Sequence, residues 1–261
     1  MPAVDWHIAV VGAGNLAWSM VPALQRAGAQ VIQLISREAA RRAELAACCG
    51  IPGQAARPGD LDPAANLVLL TVPDSAIAAV SAQLPPSGAL IAHTSGSSPL
   101  ERAGRPGLRA VLYPLQTFTW GITADLQAVP LFVEADAPHV EPLLALAQTV
   151  SDQAHALDSA GRLRLHHGAV WASNFVNLML RIASQVMPEQ LAGHPGLELY
   201  APLLREQIRK ALATGPAAAQ TGPALRGDRE TMDRHVALLD AHADWQELYR
   251  LLSRAIRPEA D

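Results

Sequence analysis

Two groups of residues have types and spacings that could do chemistry. In the run VVGAGNLA, Gly12, Gly14 and Ala17 form the pattern G-x-G-x-x-A. Gly12 permits a tight turn, Gly14 lets the backbone approach a pyrophosphate, and Ala17 is small enough for a helix to lie close on a strand. The start of a helix here offers unpaired N–H groups and a positive dipole end to phosphates. Gly12, Ala13, Gly14, Asn15 and Leu16 are therefore the predicted phosphate cradle. The next apolar run, VIQLIS, ends in Ser36-Arg37, with Arg41 and Arg42 one helical turn on. An Asp or Glu at that strand end would accept hydrogen bonds from both hydroxyls of an adenosine ribose and favour NAD. A guanidinium instead binds a 2′-phosphate, which a carboxylate would repel. Ser36 and Arg37 thus predict NADP(H) as the cofactor. Arg41 and Arg42 serve equally as a solvated helix face.

The second group lies in RLHHGAVWASN, which holds His166, His167, Ser173 and Asn174, with Asn177 just beyond. Hydride transfer needs a proton donor beside the reacting carbon. Lys210 is the only lysine and stands far along the chain, so histidine is the candidate. At 100° per residue, His167 and Asn174 share one helix face, and His166, Ser173 and Asn177 another. A histidine bonded to nearby backbone and asparagines bonding across an interface would satisfy the same pattern. In TGPALRGD, Arg226 suits an anionic substrate group. Alternatively it pairs with Asp228, which also suits a helix cap.

These groups must be positioned by a sheet. HIAVVG, QVIQLIS, ANLVLLTV, GALIAHTS, LRAVLYPL, VPLFVEA and a short AHALD read as strands, most of them alternating with helices. Apolar strands separated by helices imply a parallel sheet covered on both faces, over residues 1–158. Ligands of such sheets bind beyond the carboxyl ends of the strands. Val72, Pro73 and Asp74 of TVPD, and Thr94 and Ser95 of AHTSGSSP beside His93 and Gly96, are therefore predicted to flank the nicotinamide and its ribose. Asp74 and Ser98 are also ordinary capping residues. Residues 159–261 read as helices only: a long one through RLHHGAVWASNFVNLMLRIASQVM, another through GLELYAPLLREQIRKALATG, and a third through DRETMDRHVALLDAHADWQELYRLLSRAI.

Composition narrows the partners. The 261 residues are half apolar and carry a net charge of −4, with no basic run to attract nucleic acid. Cys48 and Cys49 are adjacent and lie in no metal-ligand spacing, which predicts no metal and a reducing cytoplasm. No signal peptide is expected ahead of the first strand. GAVWASNFVNLML is too short and too polar to cross a membrane.

Six segments in matching order (GAGNLA, TVPDSAI, HTSGSSPLE, YPLQTF, HHGAVWASN and TGPALRGDRETMDRH) give the chain a resemblance to the Rossmann-like proteins with a C-terminal helical domain of unknown function, number 2520. Those are similar to pyrroline-5-carboxylate reductases, ketopantoate reductases and deazaflavin (coenzyme F-420)-dependent NADP oxidoreductases. The resemblance implies a dimeric NADP(H) oxidoreductase whose helical domain is similar to that of 6-phosphogluconate dehydrogenase. It aligns His166 and Asn174 with the motif histidine and asparagine. Tyr113 departs from the histidine common at that position. The expected activity is NADPH-dependent reduction of a C=O or C=N bond in a small anionic substrate, such as a 2-oxo acid like ketopantoate. Its rivals are a deazaflavin–NADP oxidoreductase and a non-catalytic NADP(H) sensor. Trp171, Phe175, Leu178 and Met179 cannot all face one core, which predicts a homodimer through the helical domain.

Overall fold

The computed structural model describes residues 4–188, 191 and 196–257. The chain separates into two compact units, Met1–Trp171 and Ala172–Asp261. The division falls later than the boundary expected after Asp158, because the first helix beyond the sheet packs with the sheet unit.

The first unit is an eight-stranded sheet in the order β3-β2-β1-β4-β5-β6-β7-β8. Its strands are β1 His7–Val11, β2 Gln30–Ile35, β3 Gly53–Ala55, β4 Leu67–Leu70, β5 Leu90–His93, β6 Arg109–Pro114, β7 Leu131–Ala135 and β8 Ala154–Ala156. Helices α1 Asn15–Arg26, α2 Ala39–Cys49, α3 Ile77–Ser81 and α4 Val140–Val150 connect them. The core has two layers, as the alternation of side chains along a strand requires. Ile8 and Val10 of β1 pack with Met20 and Leu24 of α1 on one face. Ala9 and Val11 pack with Leu70 and Ile77 on the other. Strand order reverses between β1 and β4, which opens a crevice beyond their carboxyl ends.

All strand pairs are parallel except β6–β7. The segment between those two has no helical periodicity, and without a crossover helix the chain simply turns back. Strand β3 was not foreseen: it has three residues and no apolar alternation. The helix expected over DSAIAAVSAQL shrinks to a tight turn, Asp74–Ala76, followed by the short α3.

Helix α5, Ser159–Ala169, starts at an Asp158 cap, whose Oδ1 accepts from Gly161 N at 2.7 Å. The long helix expected here is interrupted: a π-helical stretch spans Val170–Phe175 before α6, Val176–Gln185. Faces drawn at 3.6 residues per turn do not carry through it, so the sequence pairing of His167 with Asn174 loses its basis.

The second unit contains α6, α7 Ala201–Thr214, α8 Pro216–Ala219, α9 Pro223–Arg226, α10 Arg229–Ala237 and α11 Ala243–Ile256. The third expected helix is thus two. The chain breaks over Leu238–His242, where Leu239 turns into the unit's interior and His242 stacks on Trp245, with ring centroids 4.0 Å apart. Among the described residues no helix is long and apolar enough to cross a membrane.

Candidate active site

Gly12 adopts φ 115°, and a Cβ there would lie 2.6 Å from the Thr71 carbonyl oxygen, so only glycine fits. Thr71 locks the turn: its Oγ1 donates to Gly12 O at 3.0 Å. Gly14 stands at the N-terminus of α1 with no side chain capping the helix, leaving its first N–H groups available to an anion. Ala13 and Ala17 are buried beneath the turn, while Asn15 is exposed and Leu16 half-buried. Ser36 and Arg37 follow β2 at the edge of the same crevice, and Arg37 is exposed. With Ser36 and Arg37 directly after β2, the cradle fits a 2′-phosphorylated dinucleotide.

The next two strand ends meet. Asp74, after β4, accepts from Ser95 Oγ at 2.6 Å and from Ser97 Oγ at 2.7 Å. Its side chain therefore caps no helix; it ties the β4 turn to the β5 turn. Ser95 Oγ in turn accepts from Ser97 N and Ser98 N, at 3.1 and 2.9 Å. Thr94 Oγ1 donates back to Leu70 O at 3.1 Å. Val72 is half-buried, and Pro73 is exposed at the mouth.

His93 belongs to the floor. It is fully buried; Nε2–H donates to Pro99 O at 3.2 Å and Nδ1 accepts from Ser95 N at 3.2 Å. Burial, and then the charge of Arg162, hold its pKa down at about 4. It is a neutral scaffold for the Ser95 turn and a poor proton donor near neutral pH.

His166 and Tyr113 make the most reactive-looking pair. Tyr113 Oη and His166 Nδ1 share a hydrogen bond at 3.0 Å, and the rings meet edge to face. Both lie directly against Gly96, where a Cβ would stand 2.6 Å from His166 Nδ1 and 2.7 Å from Tyr113 Cζ. Burial raises the Tyr113 pKa, keeping the phenol protonated.

Helix α5 is pinned by a buried ionic staple near its start. Arg162, 1% exposed, meets Glu134 at 3.1 Å and donates to Ser98 O at 2.7 Å. Ser159 Oγ donates to Glu134 at 2.8 Å and accepts from Leu100 N at 3.0 Å. One helical turn beyond Arg162, His166 comes over Gly96. Hydropathy gives no sign of Arg162, since an arginine on an amphipathic helix reads as surface. The i, i+4 spacing of Arg162 and His166 was the available signal.

His167 is exposed and accepts from Trp171 Nε1 at 3.1 Å, away from Tyr113. Asn174 lies in the π-helical stretch and Arg226 closes α9; both are exposed residues of the second unit. Asp228 caps α10, accepting from Thr231 N at 3.1 Å and Thr231 Oγ1 at 2.8 Å, so its carboxylate is engaged there.

Residues 7–93 match the family described as NADP oxidoreductase, coenzyme F420-dependent, and residues 129–256 match the domain of unknown function 2520. A Bacteroides fragilis protein classed by inference as an NADP oxidoreductase is 33% identical, with 97% of this chain and 98% of that one covered at a TM-score of 0.85. The protein TM1727 from Thermotoga maritima is 22% identical, with 96% of each chain covered and a TM-score of 0.71. A reductive aminase from Aspergillus terreus, solved with NADPH and ethyl levulinate, shares the fold at 15% identity, TM-score 0.69, over 97% of this chain and 94% of that one. Comparison with curated proteins returned no match.

Proposed function

We propose a reaction on the premise that this chain belongs to the NADP oxidoreductases with a C-terminal domain of unknown function 2520, a membership carried by 33% identity over 97% of its length to the Bacteroides fragilis protein. The reaction is reduction of a C=O or C=N bond in a small anionic substrate, with 2-oxo acids such as ketopantoate and cyclic imines as the classes to test. NADPH supplies the hydride. The protein's own residues hold the cofactor, fix the substrate and deliver a proton.

The observation that carries this reading is the Tyr113–His166 hydrogen bond over Gly96, at the carboxyl ends of β5 and β6. An imidazole and a phenol in hydrogen-bond contact can pass a proton along the bond. We assign His166 as the donor to the nascent alkoxide or amine, with Tyr113 fixing the ring and passing it a proton that the phenol then regains from water. Ser95 and Asp74 order the turns beside the nicotinamide. Asn174 and Arg226 are assigned to the substrate's polar groups and carboxylate. The exposed Leu203, Ile208 and Leu212 of α7 support a homodimer formed through the helical unit, and the two free cysteines suit a reducing cytoplasm.

The test is NADPH consumption by the purified protein with a panel of 2-oxo acids and cyclic imines. Turnover is expected on at least one class, falling by about 10²–10⁴-fold in His166→Ala. Turnover with a deazaflavin alone would replace this reading. NADPH binding with no turnover on any panel would leave a binding protein. Light scattering giving a monomer mass would remove the dimer.

A further inference from the structure

The segment joining β6 to β7 lies across the first turns of α1. Asn15 Nδ2 donates to Phe118 O at 3.1 Å, Ser19 Oγ donates to Ile122 O at 3.4 Å, and Ala124 N donates to Ser19 Oγ at 3.0 Å. Trp120, in its middle, packs on Trp18 with ring centroids 4.5 Å apart. The guanidinium of Arg41 lies 4.8 Å from the centre of the Trp120 ring. So a residue far along the chain reaches the first turn of α2, next to Ser36-Arg37.

The three arginines there differ. Arg42 donates to Ser36 O, and its Nε is enclosed without a partner, so this side chain belongs to the turn's own structure. Among the described residues, Arg37 and Arg41 form no hydrogen bond or ion pair through their side chains. Arg41 is held by the aromatic face alone. A guanidinium over a ring is oriented through its π-face, and its in-plane N–H groups stay free for a phosphate. An exposed arginine otherwise samples many rotamers, which binding must freeze.

We propose that Trp120 is a specificity-determining residue for the cofactor's 2′-phosphate, acting by pre-positioning Arg41 beside Arg37. The β6–β7 segment is then part of the cofactor site, joining the adenosine end to the start of α1. The inference rests on the cofactor, not on the substrate or the proton donor proposed above.

The experiment is calorimetric titration of NADPH, NADH, 2′,5′-ADP and 5′-AMP into wild type, Trp120→Leu, Trp120→Phe and Arg41→Ala. Trp120→Leu should weaken NADPH and 2′,5′-ADP by about 3- to 10-fold, the scale of an exposed cation–π contact plus the lost ordering. NADH and 5′-AMP should be unchanged, and Trp120→Phe should restore most of the loss. In an Arg41→Ala background, Trp120→Leu should add nothing. Should Trp120→Leu fail to fold, Trp120→Phe against Trp120→Tyr with the same four ligands carries the comparison. Equal weakening of NADPH and NADH would overturn the proposal, because the segment would then merely brace α1. An undiminished NADPH affinity would overturn it as well. Neither result touches the oxo acid and imine assay, and failure there leaves this binding signature standing.

Discussion

A Cβ on Gly96 would lie 2.6 Å from His166 Nδ1, closer than real side chains approach. Gly96 is therefore a glycine because of a helix that arrives seventy residues later, not because of its own turn. Gly96→Ala must push His166 or Tyr113 aside and break their bond. We expect turnover to drop while NADPH affinity holds, at a folding cost of about 1–3 kcal/mol, typical of overpacking. Steady-state kinetics beside a urea titration checks this. Full activity in a folded Gly96→Ala would dissociate the pair from the reaction.

Arg37→Ala removes a charge-assisted contact worth roughly 1.5–3 kcal/mol. NADPH binding should weaken by about 10- to 100-fold with NADH nearly untouched. Equal wild-type affinity for both cofactors, read by calorimetry, would contradict the assignment of Ser36-Arg37.

Arg162 meets Glu134 inside the first unit, and its Nε and Nη1 have no partner among the described residues. Arg162→Ala strands the Glu134 carboxylate and should destabilise by about 3–5 kcal/mol. Arg162→Met together with Glu134→Gln removes both charges and should recover much of that. Chemical denaturation distinguishes the two; equal losses would mean that packing, not charge, sets the cost.

His93 binds a proton less readily folded, at about 4, than unfolded, at 6.5. Between those values the unfolded chain holds more protons, so stability rises with pH there. The contribution is fully present above pH 6.5 and is lost as pH falls towards 4, a swing of about 3 kcal/mol. Urea midpoints across that range should fall, and His93→Gln should flatten the slope. An unchanged slope in the variant would assign the acid sensitivity to other groups.

Much of the cofactor half was legible locally. The glycine turn, the apolar strands and Ser36-Arg37 each act through neighbours in the chain, so spacing and residue type carry the information. Tyr113 was visible only as a departure from a family pattern, and only the resemblance favoured His166, while helix spacing alone paired His167 with Asn174. The tertiary structure separates them, since only His166 reaches Tyr113, at a separation of 53 residues. The π-helical stretch Val170–Phe175 was hidden because apolar periodicity looks similar through an inserted residue. Trp120 and Arg162 were hidden for a related reason. A tryptophan suits surface or core and an arginine reads as surface, and their partners Trp18, Arg41, Glu134 and Ser98 come from distant segments. Sequence by itself determined the dinucleotide fold and its phosphate chemistry, because hydrogen-bonded turns and side-chain alternation are short-range. Which histidine, which arginine and which glycine meet at the site was decided by packing between distant elements, a property of the folded chain alone.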